Sequence, residues 1–357
     1  MKKYIVLILC LLLLTGCTNS KDEKIVNVLN WSSYIPDEVI KDFEKEYNIK
    51  VNYGTYSSNE ELLAKLSSSK EGTYDVVFPS DYMVELMIGK NMLEEMDINR
   101  LNNYGNIDEV FLNQSYDKNN RYSLPFLLAT SVIAYNSQNV PEIKDYKDLV
   151  NSAYKNDIVL LDDERITIGA FLQALKYDIN DYDDKHLEEA YNFYNSMKDN
   201  VKAFDSDSPK SFLITNETNI GILWNAEAIL AQNHNPDIKI VYPKSGYALS
   251  MDNYVIVKGA KHTDNAYLFI DYLLRDDVCQ KIIDDYPYIS TNKNTSNYSE
   301  EELRTILNHG SYIKNVSENI KKFDRLWAKM KLDIAIYFTF LLKFPCKSSK
   351  IIIGGRE

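Results

Sequence analysis

Aromatic and acidic residues occur together in five short segments of this sequence. They are Trp31-Ser32-Ser33-Tyr34, Ser80-Asp81-Tyr82, Asp162-Asp163-Glu164, Trp224-Asn225 and Asp252-Asn253. An ammonium group donates charge-assisted hydrogen bonds to carboxylates, and the methylene groups beside it pack against ring faces. This combination of residue types therefore predicts a binding site for an organic cation.

Residues that could support catalysis form no recognisable pattern. The histidines are His186, His234, His262 and His309. None has a second His or Cys three or four residues away, so we expect solvated surface side chains. The sequence also contains no glycine-rich phosphate-binding loop and no Gly-x-Ser-x-Gly nucleophile motif. We therefore expect a protein that is not an enzyme, with no catalytic residue, no cofactor and no bound metal.

Two other functions stay open at this stage. Asp162 and Asp163 could serve a secreted hydrolase, but glycoside hydrolysis needs carboxylates about 5–9 Å apart across the substrate, which adjacent residues rarely provide. The tyrosines that cluster in the sequence are Tyr34, Tyr53, Tyr56 and Tyr82. Paired phenolates can bind ferric iron, so a ferric or other small-solute receptor is the second alternative.

The length and net charge of the chain limit its architecture and the partners that it can bind. Its 357 residues exceed the size at which single hydrophobic cores stop growing, roughly 250–300 residues, so we expect two lobes. The 40 basic and 52 acidic residues give a net charge of −12, which argues against nucleic acid as a partner. The 27 tyrosines provide more ring faces than a core requires, and some should face a ligand.

Strands and helices are predicted to alternate, which favours a mainly parallel sheet with helices on both faces. Strands are expected at residues 24–29, 50–53, 74–78, 132–135, 157–161, 219–224 and 254–257. Helices are expected at residues 36–47, 83–88, 168–177, 186–197, 226–231 and 265–274. A capping box at residues 58–61 is expected to open a further helix, with Leu62, Leu63 and Leu66 as its apolar face. Ligands of open α/β sheets bind at the carboxyl ends of strands, so the five segments should converge on one cleft.

The chain is expected to cross between the lobes in the apolar segments 124–131 and 243–251. This assigns residues 24–128 and 252–294 to lobe 1 and residues 129–251 and 295–331 to lobe 2, with a hinged cleft between them. Residues 332–357 form an atypical C-terminal tail.

The first residues predict export and a lipid anchor. Lys2 and Lys3 precede an apolar run over residues 4–14 that is too short to span a bilayer, and Leu14-Thr15-Gly16-Cys17 resembles the bacterial lipobox. Residues 1–16 are then a lipoprotein signal peptide, Cys17 is the lipidation site, and residues 17–23 are the tether. We expect the protein outside the cytoplasm, on the outer face of the cell membrane. An ordinary secretory signal is the alternative.

Eight stretches of the chain together resemble the spermidine/putrescine-binding lipoproteins of polyamine ABC transporters. They are LNWSSYIP (29–36), TYSSNEE (55–61), YDVVFPSDYMVE (74–85), YN (135–136), LDDER (161–165), AFDSD (203–207), WN (224–225) and DN (252–253). The resemblance extends to about residue 331. It implies a two-lobed, periplasmic-binding-protein-like fold of type II. It also implies a monomer that delivers spermidine or putrescine to permease subunits.

The resemblance also assigns binding residues and identifies departures from the family pattern. The implied ligand-binding residues are Trp31, Ser32, Tyr34, Ser80, Tyr82, Asp163, Trp224, Asp252 and Tyr288. This chain has Ile166 where the family commonly has Glu, and Ser250 where it often has an aromatic residue. Leu128-Ala129 stands where Trp-Gly is usual. These departures bear on which polyamine is preferred.

Overall fold

The structure is a computed structural model that describes residues 24–343, with the backbone alone for residue 317 and residues 333–343. The predicted signal peptide, Cys17 and the tether lie outside the described residues, as does the segment 344–357 of the predicted tail.

Strands and helices alternate along most of the described chain. The strands are β1 (Ile25–Trp31), β2 (Lys50–Tyr56), β3 (Val76–Val77), β4 (Ser123–Asn136), β5 (Ile158–Leu160), β6 (Val201–Phe204), β7 (Ile220–Trp224), β8 (Ile238–Val241), β9 (Tyr247–Ile256), β10 (Ile289–Ser290) and β11 (Gly310–Tyr312). The helices are α1 (Asp37–Tyr47), α2 (Asn59–Ser68), α3 (Asp81–Gly89), α4 (Glu164–Ala174), α5 (Asp184–Met197), α6 (Lys210–Ile214), α7 (Asn225–His234), α8 (Thr263–Leu273), α9 (Asp276–Asp285), α10 (Glu300–His309) and α11 (Ile320–Lys343). Short 3₁₀ helices are found at Ile98–Arg100, Tyr104–Asn106, Glu109–Phe111, Lys118–Asn120, Tyr146–Val150, Ser152–Tyr154, Lys198–Asn200 and Ser317–Asn319.

The main sheet has the strand order β2-β1-β3-β9-β4-β7-β5-β6. On one flank β1 is parallel to β2 and β3, and on the other β5 is parallel to β6 and β7. The pairs β3–β9, β9–β4 and β4–β7 that join the flanks are antiparallel. The prediction of a mainly parallel sheet is therefore confirmed for the flanks and wrong for the centre.

The two predicted crossing segments form these central strands. They pair with each other directly, with Leu128 opposite Met251 and Ala129 opposite Ser250. Every residue of β4 and of β9 is buried, so neither strand has the polar alternation by which a strand is usually recognised in a sequence. The first part of β4 pairs with β9 and its last part with β7, so a single strand connects both flanks. The lobe boundaries themselves stay a prediction.

Two large apolar clusters lie on either side of this connection. One contains Val28, Phe43 and Tyr254, and the other contains Ile133 and Phe171. Full burial of one such side chain contributes about 1.5–3 kcal/mol, so each cluster stabilises its own part of the fold.

Helix α11 belongs to the second cluster and continues past residue 331. Phe323 and Met330 are fully buried, and the Tyr194 hydroxyl donates to the Met330 carbonyl oxygen at 3.0 Å. Leu332, in contrast, is 61% exposed. Nothing in the described part of the chain, α11 included, is a helix long and apolar enough to cross a membrane.

The expectation of four solvated histidines is wrong for His262. Its ring Nδ1 lies 2.9 Å from Oδ2 of the fully buried Asp75, and its backbone N–H donates to Oδ1 of the same side chain. His186 is partly buried and stacks on Tyr177, with ring centroids 3.8 Å apart. Neither contact could be predicted, because the sequence around each histidine does not indicate its partner.

We expect Phe323→Ala to lower the free energy of unfolding by about 3–5 kcal/mol, because truncating a buried Phe removes apolar contacts and leaves a cavity. The matched control is Leu332→Ala on the exposed face of the same helix, which should change stability by less than about 0.5 kcal/mol. Urea denaturation measures both values. Equal, small changes would show that α11 is not part of the core.

Candidate functional site

A cavity of about 270 Å³ lies where several strands end. Trp31 is the last residue of β1 and Trp224 the last of β7, while Ser80 follows β3 and Asp163 follows β5. The convergence of the five segments is confirmed, because each contributes residues to the wall. Asp252 differs from the others in that it lies within β9 and does not follow a strand.

The nine residues implied by the resemblance all line this cavity. They are Trp31, Ser32, Tyr34, Ser80, Tyr82, Asp163, Trp224, Asp252 and Tyr288. Their role in binding a ligand stays a prediction. Asp81, Asn225 and Asn253, from the same segments, are buried outside this wall; Asn225, for example, accepts a hydrogen bond from the Thr130 backbone N–H.

The carboxylate of Asp252 is the centre of the polar network. It is 2% exposed and accepts hydrogen bonds from the Tyr34 hydroxyl at 2.8 Å and from Ser80 Oγ at 2.9 Å. Burial raises the pKa of Asp252 to about 7, although hydrogen bonds from Tyr34 and Ser80 favour the charged form. A cation beside this carboxylate would offset its loss of hydration.

Aromatic rings form the wall next to Asp252. The Tyr34 and Tyr288 rings lie 4.6 Å apart, and the Trp31 ring lies 4.7 Å from that of Tyr56. Trp31 is oriented by its indole N–H, which donates to the Phe78 carbonyl oxygen at 2.9 Å. These rings can pack against methylene groups or a cation without rearranging.

Asp163 is placed by the start of α4, which begins four residues earlier than predicted. Its Oδ1 accepts from the backbone N–H groups of Arg165 and Ile166 at 2.9 and 3.0 Å, as an N-cap does. Burial raises the pKa of Asp163 to about 6 even though these hydrogen bonds lower it. As the N-cap of α4, Asp163 is held in the wall of the cavity.

A family model described as "Bacterial extracellular solute-binding protein" matches residues 38–304 of this chain. The chain belongs to this family. The spermidine/putrescine-binding periplasmic protein of Escherichia coli (strain K12) is 35% identical over 279 residues, covering 78% of this chain and 80% of that protein. The resemblance inferred from the sequence motifs is therefore confirmed.

Solved structures agree with the two-lobed, periplasmic-binding-protein-like α/β fold. A spermidine/putrescine ABC transporter substrate-binding protein of Streptococcus pneumoniae gives a TM-score of 0.74 at 29% identity, covering 86% of this chain and 98% of that one. A lipoprotein of Treponema pallidum gives 0.78 at 27% identity, covering 86% and 99%. The predicted fold class is thus confirmed.

The phenols of this solute-binding protein are poorly arranged for ferric iron. The Tyr34 hydroxyl donates to Asp252, and the Tyr56 hydroxyl donates to the Phe78 carbonyl oxygen. Burial raises the pKa of Tyr34, Tyr56 and Tyr82 well above the usual value, which disfavours phenolates. Within residues 24–343, no group of three or more His, Cys, Asp and Glu residues could hold a metal ion.

The acids considered for a hydrolase serve other purposes. Asp162 forms an ion pair with Lys331 at 2.6 Å, and Asp163 caps α4. Both carboxylates are thus held by contacts within the protein.

The departures from the family pattern lie at the cavity. Ile166, Ser250 and Ala129 all line it, whereas Leu128 is fully buried. Ile166 also belongs to a small apolar cluster with Ile179 and is 3% exposed. An acid is thus missing from the wall at position 166, and its place is apolar.

Several lining residues were missed by reasoning from the sequence. They are Asn59, Glu60, Ser206, Asp207, Glu227, Asp324 and Trp327. Asn59 Nδ2 donates to both Ser80 Oγ and the Tyr82 hydroxyl at 3.1 Å, so it joins the two. The capping box predicted at residues 58–61 was the one local sequence feature that pointed to Asn59. Asp324 and Trp327 lie on α11, which no motif connects to the cavity.

We expect the stability of the free protein to fall as pH rises from about 4 to about 7. The folded state holds protons on Asp252 and Asp163 over a range in which the unfolded chain has lost them, so raising the pH favours unfolding. Asp252→Asn should reduce this loss by on the order of 2 kcal/mol. Urea denaturation at several pH values, with the exposed Asp285→Asn as control, measures it. An unchanged pH dependence in Asp252→Asn would contradict the raised pKa.

Proposed function

We propose that this protein captures spermidine or putrescine outside the cytoplasm and delivers it to the permease subunits of an ABC importer. It binds the polyamine without converting it, acts as a monomer, and uses no cofactor. The observation that carries the proposal is the buried Asp252 carboxylate, held by Tyr34 and Ser80 beside aromatic rings.

The geometry accounts for selective binding of an organic cation. Asp252 and Asp163 would accept hydrogen bonds from the ammonium groups, and the Trp31, Tyr34 and Trp224 rings would cover the methylene groups between them. A neutral solute would leave the buried carboxylate of Asp252 uncompensated, so it should bind weakly. The names of the Escherichia coli and Streptococcus pneumoniae relatives, which refer to spermidine and putrescine, support this ligand class.

We also propose that two lobes close over the ligand. Lobe 1 would comprise residues 24–128 and 252–294, and lobe 2 residues 129–251 and 295–331. The strands β4 and β9, whose pairing joins the two flanks of the sheet, would serve as the hinge. Ligand contacts with both walls of the cavity would favour the closed population.

A lipid anchor on the outer face of the cell membrane completes the proposal. The lipobox Leu14-Thr15-Gly16-Cys17 after a basic and then apolar start supports cleavage after residue 16 and lipidation of Cys17. The Treponema pallidum neighbour is named as a lipoprotein. Such an anchor would hold the protein close to its permease.

Calorimetric titration of the protein with spermidine, putrescine and spermine tests the proposal. We expect Asp252→Asn to weaken binding by roughly thirtyfold or more, because removing the carboxylate leaves an ammonium group buried without its partner, at about 2–5 kcal/mol. Asp285→Asn, an exposed acid on α9, is the control and should bind as the parent does. Absence of heat with all three polyamines, or an unchanged dissociation constant for Asp252→Asn, would reject it. An iron-dependent visible band would favour the ferric alternative.

A further inference from the structure

The cavity wall contains two further acids that the family resemblance does not assign. Glu164 is the first residue of α4, and Asp324 lies on α11. Both line the cavity, and the charge of each carboxyl group acts on the other. Two helices that are distant in the sequence thus bring a pair of acids to one wall.

Carboxylates dominate the surroundings of Glu164. Burial and the carboxylates of Asp324, Asp163 and Glu60 raise the pKa of Glu164, even though Arg165 lines the same cavity and interacts with Glu164. Arg165 donates to the Lys314 carbonyl oxygen and to Asn180, and Lys331 pairs with Asp162.

A row of hydrogen bonds leads along the cavity from Asp252 towards the pair. It runs from Asp252 to Ser80 Oγ, from there to Asn59, then to the Tyr82 hydroxyl and on to Glu60. Glu60 in turn acts on the charge of Glu164.

An aromatic ring accompanies the pair, as one accompanies Asp252. Trp327 follows Asp324 by three residues on α11, lines the cavity and packs edge-on against Phe204 with ring centroids 4.8 Å apart. Residues three apart on a helix share a face, so the acid and the ring are presented together.

We propose that Glu164 and Asp324 bind the second ammonium group of a long polyamine, in place of the Glu that the resemblance expects at position 166. This inference rests on the proposed function and specifies which residues read ligand length. A triamine that is bound at Asp252 by one ammonium group would reach this pair with another. A shorter diamine would engage the pair less. The pair therefore favours spermidine over putrescine.

The test compares Asp324→Asn, Glu164→Gln and the charge-retaining Asp324→Glu by calorimetric titration with spermidine and with putrescine. Glu318→Gln, an exposed acid just before α11 that does not line the cavity, controls for the loss of one negative charge. Asp324→Asn and Glu164→Gln should each weaken spermidine about tenfold or more and putrescine less than threefold, since one charge-assisted contact is worth about 1.4 kcal/mol or more. Asp324→Glu should retain most of the spermidine affinity.

Thermal melting of the same variants distinguishes binding from a structural role. Removing one of two mutually repelling acids should leave the melting temperature of the free protein unchanged or higher, whereas loss of a structural contact would lower it. If Asp324→Asn does not fold, Glu164→Gln decides the question.

Three results would overturn the inference and leave the proposed function unaffected. They are effects no larger than that of Glu318→Gln, equal losses for both ligands, and lower melting temperatures that accompany the loss of affinity. A parent protein that binds neither polyamine would instead reject the proposed function itself.

Discussion

The site depends on one buried carboxylate that no basic side chain in the described part of the chain neutralises. Asp252 accepts hydrogen bonds from Tyr34 and Ser80 in a wall of aromatic rings, and burial raises its pKa to about 7. Hydrogen bonds from neutral groups stabilise its charge only in part, since a buried ion usually needs a counter-ion. An ammonium group from solution would supply that counter-ion, and this would link the stability of the free protein to its affinity for the cation.

The sheet topology places this buried carboxylate in the wall of the cavity. Asp252 lies in β9, whose antiparallel pairing with β4 connects the parallel flanks. Ser80, after β3, forms an isolated antiparallel bridge with Asp252, so Ser80 and the start of α3, which carries Tyr82, are fixed to β9. Residues from strands on both flanks therefore meet at one place. A strand that belongs to both flanks is also suited to transmit a change at the cavity to the rest of the sheet.

Much of this arrangement could be predicted from the sequence. The convergence of Trp31, Ser80 and Trp224 followed from their positions after predicted strands, because carboxyl ends of parallel strands share an edge. The antiparallel centre was missed, since wholly buried strands give no alternating pattern. The contribution of Asp324 could not be predicted, because packing between distant helices leaves no local signal in the sequence. Asp163 was chosen by resemblance, and its role as the cap of α4 became apparent only from the backbone.

Proton release on binding tests the central claim most directly. If Asp252 is partly protonated in the free protein at pH 7 and ionised beside a bound ammonium group, spermidine binding must release protons. The binding heat should then differ between buffers of low and high ionisation enthalpy by an amount that corresponds to on the order of half a proton, and this difference should shrink in Asp252→Asn. A heat that is independent of the buffer, or an equal proton release in Asp252→Asn, would contradict the account.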